Sequence, residues 1–152
     1  MNKITPILGI IFLLAACSTL PPANIGVSDN SLQPCPTTPN CVQSYNQNDH
    51  THYIASIKYL GTISQAKKRL LKALDGTPDT LIVSIQNNYI RAECSSKWLG
   101  FIDDVEFLID DQEINVRSAS RVGYYDLNVN ENRIEAIRQQ IEIRTNPVDE
   151  NP

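Results

Sequence analysis

The sequence predicts an α+β fold in which an antiparallel sheet of about five strands carries two helices packed on one face. Four strand-like segments with short polar turns follow one another between residues 80 and 121, and such a series favours antiparallel pairing. A stretch with the apolar spacing of a helix lies on each side of this series. Each helix has only a narrow apolar stripe, which suits packing against one face of a sheet.

The first strand is predicted over residues 52–60, a run rich in β-branched and aromatic residues. A helix follows, because apolar residues recur at three- and four-residue spacing from Ile63 to Leu74. We expect Ser64 to cap the start of this helix and Gly76 to end it, with Pro78 preventing continuation.

The four consecutive strands begin with a predicted hairpin. Segments 81–85 and 89–93 flank residues 86–88, whose two asparagines tolerate positive φ. The third strand is predicted over residues 101–109. The fourth covers residues 113–121, after a second polar turn.

The last element is predicted to be a helix with a marked start. Asn130 is expected to cap it, while Val129 and Ile134 stand at the two positions of a hydrophobic staple. Ile134, Ile137 and Ile141 then line one side, which is the side expected to face the sheet.

The first 16 residues are typical of a secretory signal peptide. Lys3 precedes the apolar run 7–14, and small residues follow it. This run is too short to span a bilayer, which needs about 20 apolar residues. Residues Leu14-Ala15-Ala16-Cys17 resemble the bacterial lipoprotein box, in which the cysteine is acylated and the chain is cut just before it. The alternative is an ordinary secreted protein in which Cys17 happens to fall near the cleavage site.

An acylated Cys17 would attach the protein to a membrane through a lipid anchor, because two or more acyl chains hold a protein firmly. By resemblance to lipoprotein sorting signals, Ser18 in place of Asp favours the outer membrane of a Gram-negative bacterium. The expected location is therefore the cell envelope, on the periplasmic face of the outer membrane.

The rest of the chain is predicted to form one domain between two unstructured segments. Residues 17–33 are expected to be a lipidated flexible tether, residues 34–144 a single α+β domain, and residues 145–152 a disordered tail. The chain has 13 basic and 17 acidic side chains. This balance argues against nucleic acid as a partner, since nucleic-acid recognition begins with a basic surface.

Cysteine spacing predicts one disulfide bond. Cys35 and Cys41 close a small loop that contains two prolines, and a bridge of this size contributes about 2 to 2.5 kcal/mol in an oxidising compartment. Cys94 lies in a strand, so a buried inert thiol is expected, with pairing to one of the other two as the alternative. His50 and His52, together with Cys35 and Cys41, form a possible set of metal ligands. Zinc sites prefer shorter spacing between their cysteines, so this metal site is the weaker alternative to the disulfide bond. We predict neither a metal nor a cofactor, because phosphate-binding loops, dinucleotide fingerprints and nucleophile elbows are missing from the sequence.

Charged residues of the third and fourth strands are predicted to share one face of the sheet. Alternation places Asp104 and Glu106 together, and Arg117 and Arg121 join them if the turn register allows, giving a salt-bridged face. One alternative is a guanidinium fork of Arg117 and Arg121 for a carboxylate, phosphate or sulfate ligand. Another is acid/base chemistry, or a hard-cation site, at Asp103, Asp104 and Glu106.

Ser118 and Ser120 are polar residues on what is otherwise the apolar face of the fourth strand. This anomaly suggests a small polar pocket that binds a ligand. The residues predicted to line it are Arg117, Ser118, Ser120, Arg121, Tyr124 and Asp103.

Several motifs resemble those of the bacterial domain-of-unknown-function family 1499, and the resemblance covers about residues 32–143. It is carried by residues 34–36, 39–42, 101–107, 116–124 and 126–127, together with Asn130, Arg133 and Ile134. The resemblance implies a small envelope or lipoprotein domain without an established activity. Cys94 departs from the family pattern, which expects another residue there.

Together these observations predict a lipid-tethered, non-enzymatic envelope domain that binds an envelope protein partner or a small anionic ligand. The first alternative is an envelope hydrolase with Asp103, Asp104 or Glu106 as acid/base. The second is a purely structural accessory of a larger envelope complex.

Overall fold

The structure is a computed structural model that describes residues 20–96 and 100–143. The signal peptide, Cys17 and the tail 145–152 lie outside the described residues, so the predictions made for them stay predictions. Within the described residues, no helix is long and apolar enough to cross a membrane.

The fold is α+β, as predicted, with both helices on one face of a six-stranded antiparallel sheet. Its strands lie in the order β3-β8-β7-β6-β5, with β4 also pairing with β8, and β1 and β2 form a separate two-stranded ribbon. Along the chain the elements are β1 (Val27–Ser28), β2 (Ser31–Leu32), β3 (Cys41–Gln43), β4 (Ile57–Lys58), α1 (Ile63–Asp75), β5 (Thr80–Gln86), β6 (Tyr89–Ser95), β7 (Ile102–Asp110), β8 (Glu113–Ser120) and α2 (Val129–Ile143).

The four consecutive strands β5 to β8 confirm the predicted series of hairpins. Asn87 adopts a φ of 49° in the first turn, as its side chain allows. Between β7 and β8 the register places Glu106 opposite Arg117 and Asp103 opposite Ser120. This register fixes which polar side chains share a face.

Helix α1 starts at a different cap from the one predicted. Thr62, not Ser64, is the N-cap: its Oγ1 accepts from the Gln65 N–H at 3.2 Å, and the Gln65 side chain accepts from the Thr62 N–H at 2.9 Å. This reciprocal pair is a capping box, which satisfies two backbone donors at once. The predicted end is confirmed, since the Gly76 N–H donates to the Lys72 carbonyl.

The start of α2 was also predicted wrongly. Asp126 takes the capping role, because its carboxylate accepts from the N–H groups of Asn128 at 3.2 Å and Asn130 at 3.0 Å. Val129 is the first residue of the helix and not the residue before its cap, so it does not stand at the outer position of a hydrophobic staple. Asn130 is instead buried inside the first turn.

The strand predicted over residues 52–60 is reduced to the two residues of β4. The predicted strand is shorter in the structure because β3, which the sequence did not predict, pairs with the rest of the β8 edge. Tyr53 and its neighbours bond to Gln43 instead, through the Gln43 N–H to the His52 carbonyl at 2.8 Å and the Ile54 N–H to the Gln43 carbonyl at 3.0 Å.

The apolar core lies between the helices and one face of the sheet. Each large aliphatic or aromatic side chain buried there stabilises the fold by about 1.5–3 kcal/mol. The largest fully buried apolar side chains are Ile57, Leu70, Leu74, Ile90, Phe107, Ile109, Ile114, Ile134, Ile137 and Ile141.

Residues 25–32, which we call the strap, lie across the opposite face of the sheet. The prediction of a flexible tether over residues 17–33 is wrong for this part, because β1 and β2 pair and β2 contacts β7 and β8. Asp29 and Asn30 both adopt positive φ, as a two-residue hairpin turn requires, and Leu32 is buried. The strap therefore covers a face that would otherwise be open to solvent.

Candidate functional site

Two polar clusters lie on opposite faces of β7 and β8. The alternation of side chains along a strand separates Asp103 from Asp104 and Ser118 from Arg117, since successive residues point to opposite faces. The six residues predicted to line one pocket therefore do not line a common one. Asp103, Ser118 and Ser120 lie on the helix side, Arg117 and Arg121 pair with carboxylates on the strap side, and Tyr124 is 71% exposed beyond β8.

The strap side holds a cluster of paired charges around Asp104. This carboxylate is fully buried and accepts from Arg121 Nε at 2.8 Å and from Arg91 Nη2 at 2.9 Å. Glu93 accepts from the same two guanidinium groups, with Arg91 Nη2 at 2.6 Å. Hydrogen bonds to Asp104 raise the pKa of the Arg121 guanidinium above its ordinary value.

A second buried pair, Glu106 and Arg117, lies on the same side. Arg117 Nη1 donates to Glu106 Oε2 at 2.8 Å, while Glu106 Oε1 accepts from the Tyr89 hydroxyl at 2.9 Å and from the Gly26 N–H of the strap at 2.7 Å. Burial, reinforced by the Glu106 charge, raises the pKa of the Tyr89 hydroxyl. Arg117 Nε is buried and has no hydrogen-bond partner within the part of the chain that the structure describes.

These contacts match the salt-bridged sheet face, one of the arrangements that the sequence left open. Arg117 and Arg121 already bond to internal carboxylates, so neither guanidinium stands open as a fork for an external anion. Whether these residues bind a ligand stays a prediction. The cluster contains three guanidinium groups and three carboxylates, so it is formally neutral. Its members are Arg91, Glu93, Asp104, Glu106, Arg117 and Arg121.

The helix side holds a second network around Arg133 and Asn130. Arg133 Nη2 donates to Asp103 Oδ2 at 2.6 Å, and Arg133 Nη1 donates to Asn130 Oδ1 at 2.9 Å. The Ser118 hydroxyl donates to the same oxygen, and Asn130 Nδ2 donates to the Ser120 hydroxyl at 3.0 Å. The two serines thus connect β8 to α2, which accounts for polar residues on an otherwise apolar face.

This network extends to the disulfide loop. The bridge between Cys35 and Cys41 is present as predicted, with the two Cα atoms 5.8 Å apart. Asn40, inside the loop, donates from Nδ2 to the Gly123 carbonyl at 2.7 Å, and its own carbonyl accepts from Asn130 Nδ2 at 3.1 Å. The Ser120 N–H of β8 also donates to the Asn40 carbonyl at 3.0 Å, so the loop is fastened to both β8 and α2. Asn40 and Arg133 were not predicted as site residues, although both lie in the family motifs.

The alternative metal site is not assembled by the described residues, in which no group of three or more His, Cys, Asp or Glu could hold a metal ion. Cys35 and Cys41 are consumed by the disulfide bond. His52 Nδ1 lies 2.8 Å from Asp49 Oδ2, and this hydrogen bond lowers the pKa of the Asp49 carboxyl.

Cys94 is a buried thiol outside the disulfide bond, which confirms the burial expected for it, while its inertness stays a prediction. Its sulfur lies 3.3 Å from the Thr80 hydroxyl, and burial raises the pKa of the thiol.

Two surface clefts flank the strap. The first, of about 480 Å³, lies between residues 25–27 and the β5–β6 hairpin, and Tyr89 and Arg91 form part of its wall. The second, of about 390 Å³, lies between Asn30 and the segment that leads to β4. Sequence reasoning missed both clefts because it treated the strap as a tether. The Asp29-Asn30 pair was the available signal of a turn.

A comparison with curated proteins finds no match to this chain. The family described as "Protein of unknown function (DUF1499)" matches residues 31–141, a span that includes both polar networks and the disulfide loop. The motifs in β7, β8 and α2 that suggested this family are the segments that build the two networks. The chain therefore belongs to the DUF1499 family.

Proposed function

We propose that this chain is a lipid-anchored, non-enzymatic binding domain of the bacterial cell envelope. The location rests on the leader, in which Lys3 and the apolar run 7–14 end at the lipoprotein-like sequence Leu14-Ala15-Ala16-Cys17. Acylation of Cys17 would hold the domain at a membrane, and Ser18 favours the periplasmic face of the outer membrane.

The observation that favours a binding role over a catalytic one is that all three candidate carboxylates are paired with arginines. Asp103 pairs with Arg133, Asp104 with Arg91 and Arg121, and Glu106 with Arg117. A general acid or base must reach the substrate proton at hydrogen-bond distance. Asp104 and Glu106 are instead fully buried, and Glu106 also accepts a bond from the strap.

The envelope hydrolase with Asp103, Asp104 or Glu106 as acid/base is therefore the weaker candidate. It needs one of these groups to lose its guanidinium partner and reach a cleft. Both clefts instead lie beside the strap, where they offer concave surface to an envelope protein segment or a small ligand.

The strap also limits the distance between the domain and its proposed anchor. From Cys17 to Ile25 the chain advances eight residues, so even a fully extended segment spans about 30 Å. A flexible tether reaching to residue 33 would allow much more. This short connection supports a role close to the membrane surface, with the strap side nearest to the anchor.

The test is membrane fractionation of the full chain expressed in a Gram-negative bacterium. We expect the protein in the outer-membrane fraction and Cys17→Ser outside it. Ser18→Asp is the matched variant, because it keeps the acylated cysteine and alters only the sorting position, and it should move the protein to the inner membrane. A wild-type protein found in the cytosol would overturn the proposal.

A further inference from the structure

The second cleft beside the strap has a chemistry that the two charged networks lack. One wall is formed by Asn30, Ser31 and Leu32 of the strap, and the other by the segment that carries Tyr45 and Tyr53. We call it the tyrosine cleft. Its volume of about 390 Å³ lies within the range of small-molecule sites.

The two tyrosines of this cleft differ from the buried tyrosines of the domain. Tyr45 is 60% exposed and Tyr53 38% exposed, and neither hydroxyl bonds to any described residue. Tyr59 and Tyr89, in contrast, donate to the Asp110 carbonyl and to Glu106. Exposed tyrosines with an open face and a free hydroxyl are the type that proteins use for amphipathic ligands.

Neutral polar side chains surround the tyrosines. The side chains of Asn30, Ser31 and Gln47 line the same cleft and make no hydrogen bond to another residue in the described ranges. Asn30 lies in the turn of the strap, where it adopts a φ of 58°, and it lines the cleft. Amide and hydroxyl groups both donate and accept, so the cleft can bond a ligand rich in hydroxyl groups.

The charged residues of the cleft disfavour an anionic ligand. Lys58 bonds to Glu113, and this contact lowers the pKa of the Glu113 carboxyl. Asp110 is an exposed carboxylate without an ion-pair partner among the described residues. The lining therefore offers a carboxylate acceptor but no unpaired cation, and it would repel phosphate or carboxylate groups.

From this arrangement we propose that the tyrosine cleft binds a neutral oligosaccharide, which gives a ligand class to the binding function proposed above and rests on it. The rings of Tyr45 and Tyr53 pack against the C–H faces of two sugar residues. Asn30 and Gln47 bond to their hydroxyl groups, and Asp110 accepts from a further hydroxyl.

The test is isothermal titration calorimetry of the full-length protein in a detergent without a sugar headgroup. The probes are an N-acetylglucosamine tetramer and a glucose tetramer, both neutral. We expect saturable binding of at least one of them. Tyr45→Ala and Tyr53→Ala should each weaken it at least fivefold, while circular dichroism shows an unchanged fold.

Tyr125→Ala is the matched control, because Tyr125 is 56% exposed outside the cleft, and its affinity should equal that of wild type. The proposal is overturned if neither probe binds, if both cleft variants bind as well as wild type, or if Tyr125→Ala loses the same affinity. Because binding is measured in solution, this result is independent of acylation. An unacylated protein that binds the probe refutes the anchor alone, and an acylated protein that binds neither probe refutes the saccharide site alone.

Discussion

Replacing Arg117 by Met would leave the buried carboxyl group of Glu106 without its guanidinium partner. Glu106 would keep the hydrogen bonds from Gly26 and Tyr89, but it would lose the charge-assisted bond at 2.8 Å from Arg117 Nη1. Both side chains of the pair are at most 1% exposed, so water cannot replace the missing partner. Breaking such a buried pair costs about 3–5 kcal/mol.

This loss is a large share of the stability of a domain of this size, which is typically about 5–15 kcal/mol. We expect the melting temperature of Arg117→Met to fall by about 10–20 °C. The double variant Glu106→Gln, Arg117→Met also replaces the unpaired carboxyl group by a neutral amide. Its amide oxygen can still accept from Gly26 and Tyr89, so at least about half of the lost free energy of unfolding should return.

Urea denaturation followed by far-ultraviolet circular dichroism measures these free energies. Lys58→Met is the control, since it breaks an ion pair with Glu113 in which the Lys58 side chain is 72% exposed, and it should cost less than about 1 kcal/mol. The reasoning is refuted if Arg117→Met costs no more than Lys58→Met, or if the double variant is no more stable than Arg117→Met.

Three further predictions concern the strap, the free thiol and the pH dependence of stability. Leu32→Ala should lower the free energy of unfolding in urea by about 2–4 kcal/mol, whereas Val27→Ala, at an exposed position of the same strap, should change it little. Equal effects of the two variants would mean that residues 25–32 are a flexible tether after all. The raised pKa and the burial of Cys94 should make its reaction with a thiol reagent at least about a hundredfold slower in the folded protein than in denaturant, and fast labelling of folded protein would contradict this. The hydrogen bond with His52 lowers the pKa of Asp49, so the Asp49 carboxylate stabilises the fold above its unfolded pKa, and this stabilisation is lost as pH falls below about 4. Asp49→Asn should therefore flatten the acidic part of the plot of unfolding free energy against pH. An unchanged plot would argue against the His52 contact.

Local sequence signals were sufficient for the central part of the fold. The turn at Asn87 and the alternation along β7 and β8 predicted the four consecutive strands, because both depend on neighbouring residues only. The same holds for the end of α1 at Gly76 and for the disulfide bond within one short loop.

Long-range pairing was not predictable in the same way. β3 has only three residues and no strand pattern of its own, and its place is decided by the free edge of β8. The strap is polar in composition, and one apolar anchor, Leu32, together with the Gly26 bond to Glu106, fixes it to the sheet. The strand predicted over residues 52–60 and the tether predicted over residues 17–33 are therefore both longer than the structure shows.

The candidate site was predicted in part. The pairing of Asp104 and Glu106 with Arg121 and Arg117 followed from alternation and register. Joining Ser118 to these arginines in one pocket ignored the same alternation, which places adjacent residues on opposite faces.

The central proposal is that a lipid attached to Cys17 holds this domain at the cell envelope. Intact-mass spectrometry of protein purified from the membranes of a Gram-negative host tests it most directly. The account predicts a chain that begins at Cys17 and carries the added mass of acyl groups, which is lost in Cys17→Ser. A chain that still begins at Met1, or one that begins at Cys17 without acyl mass, would contradict it.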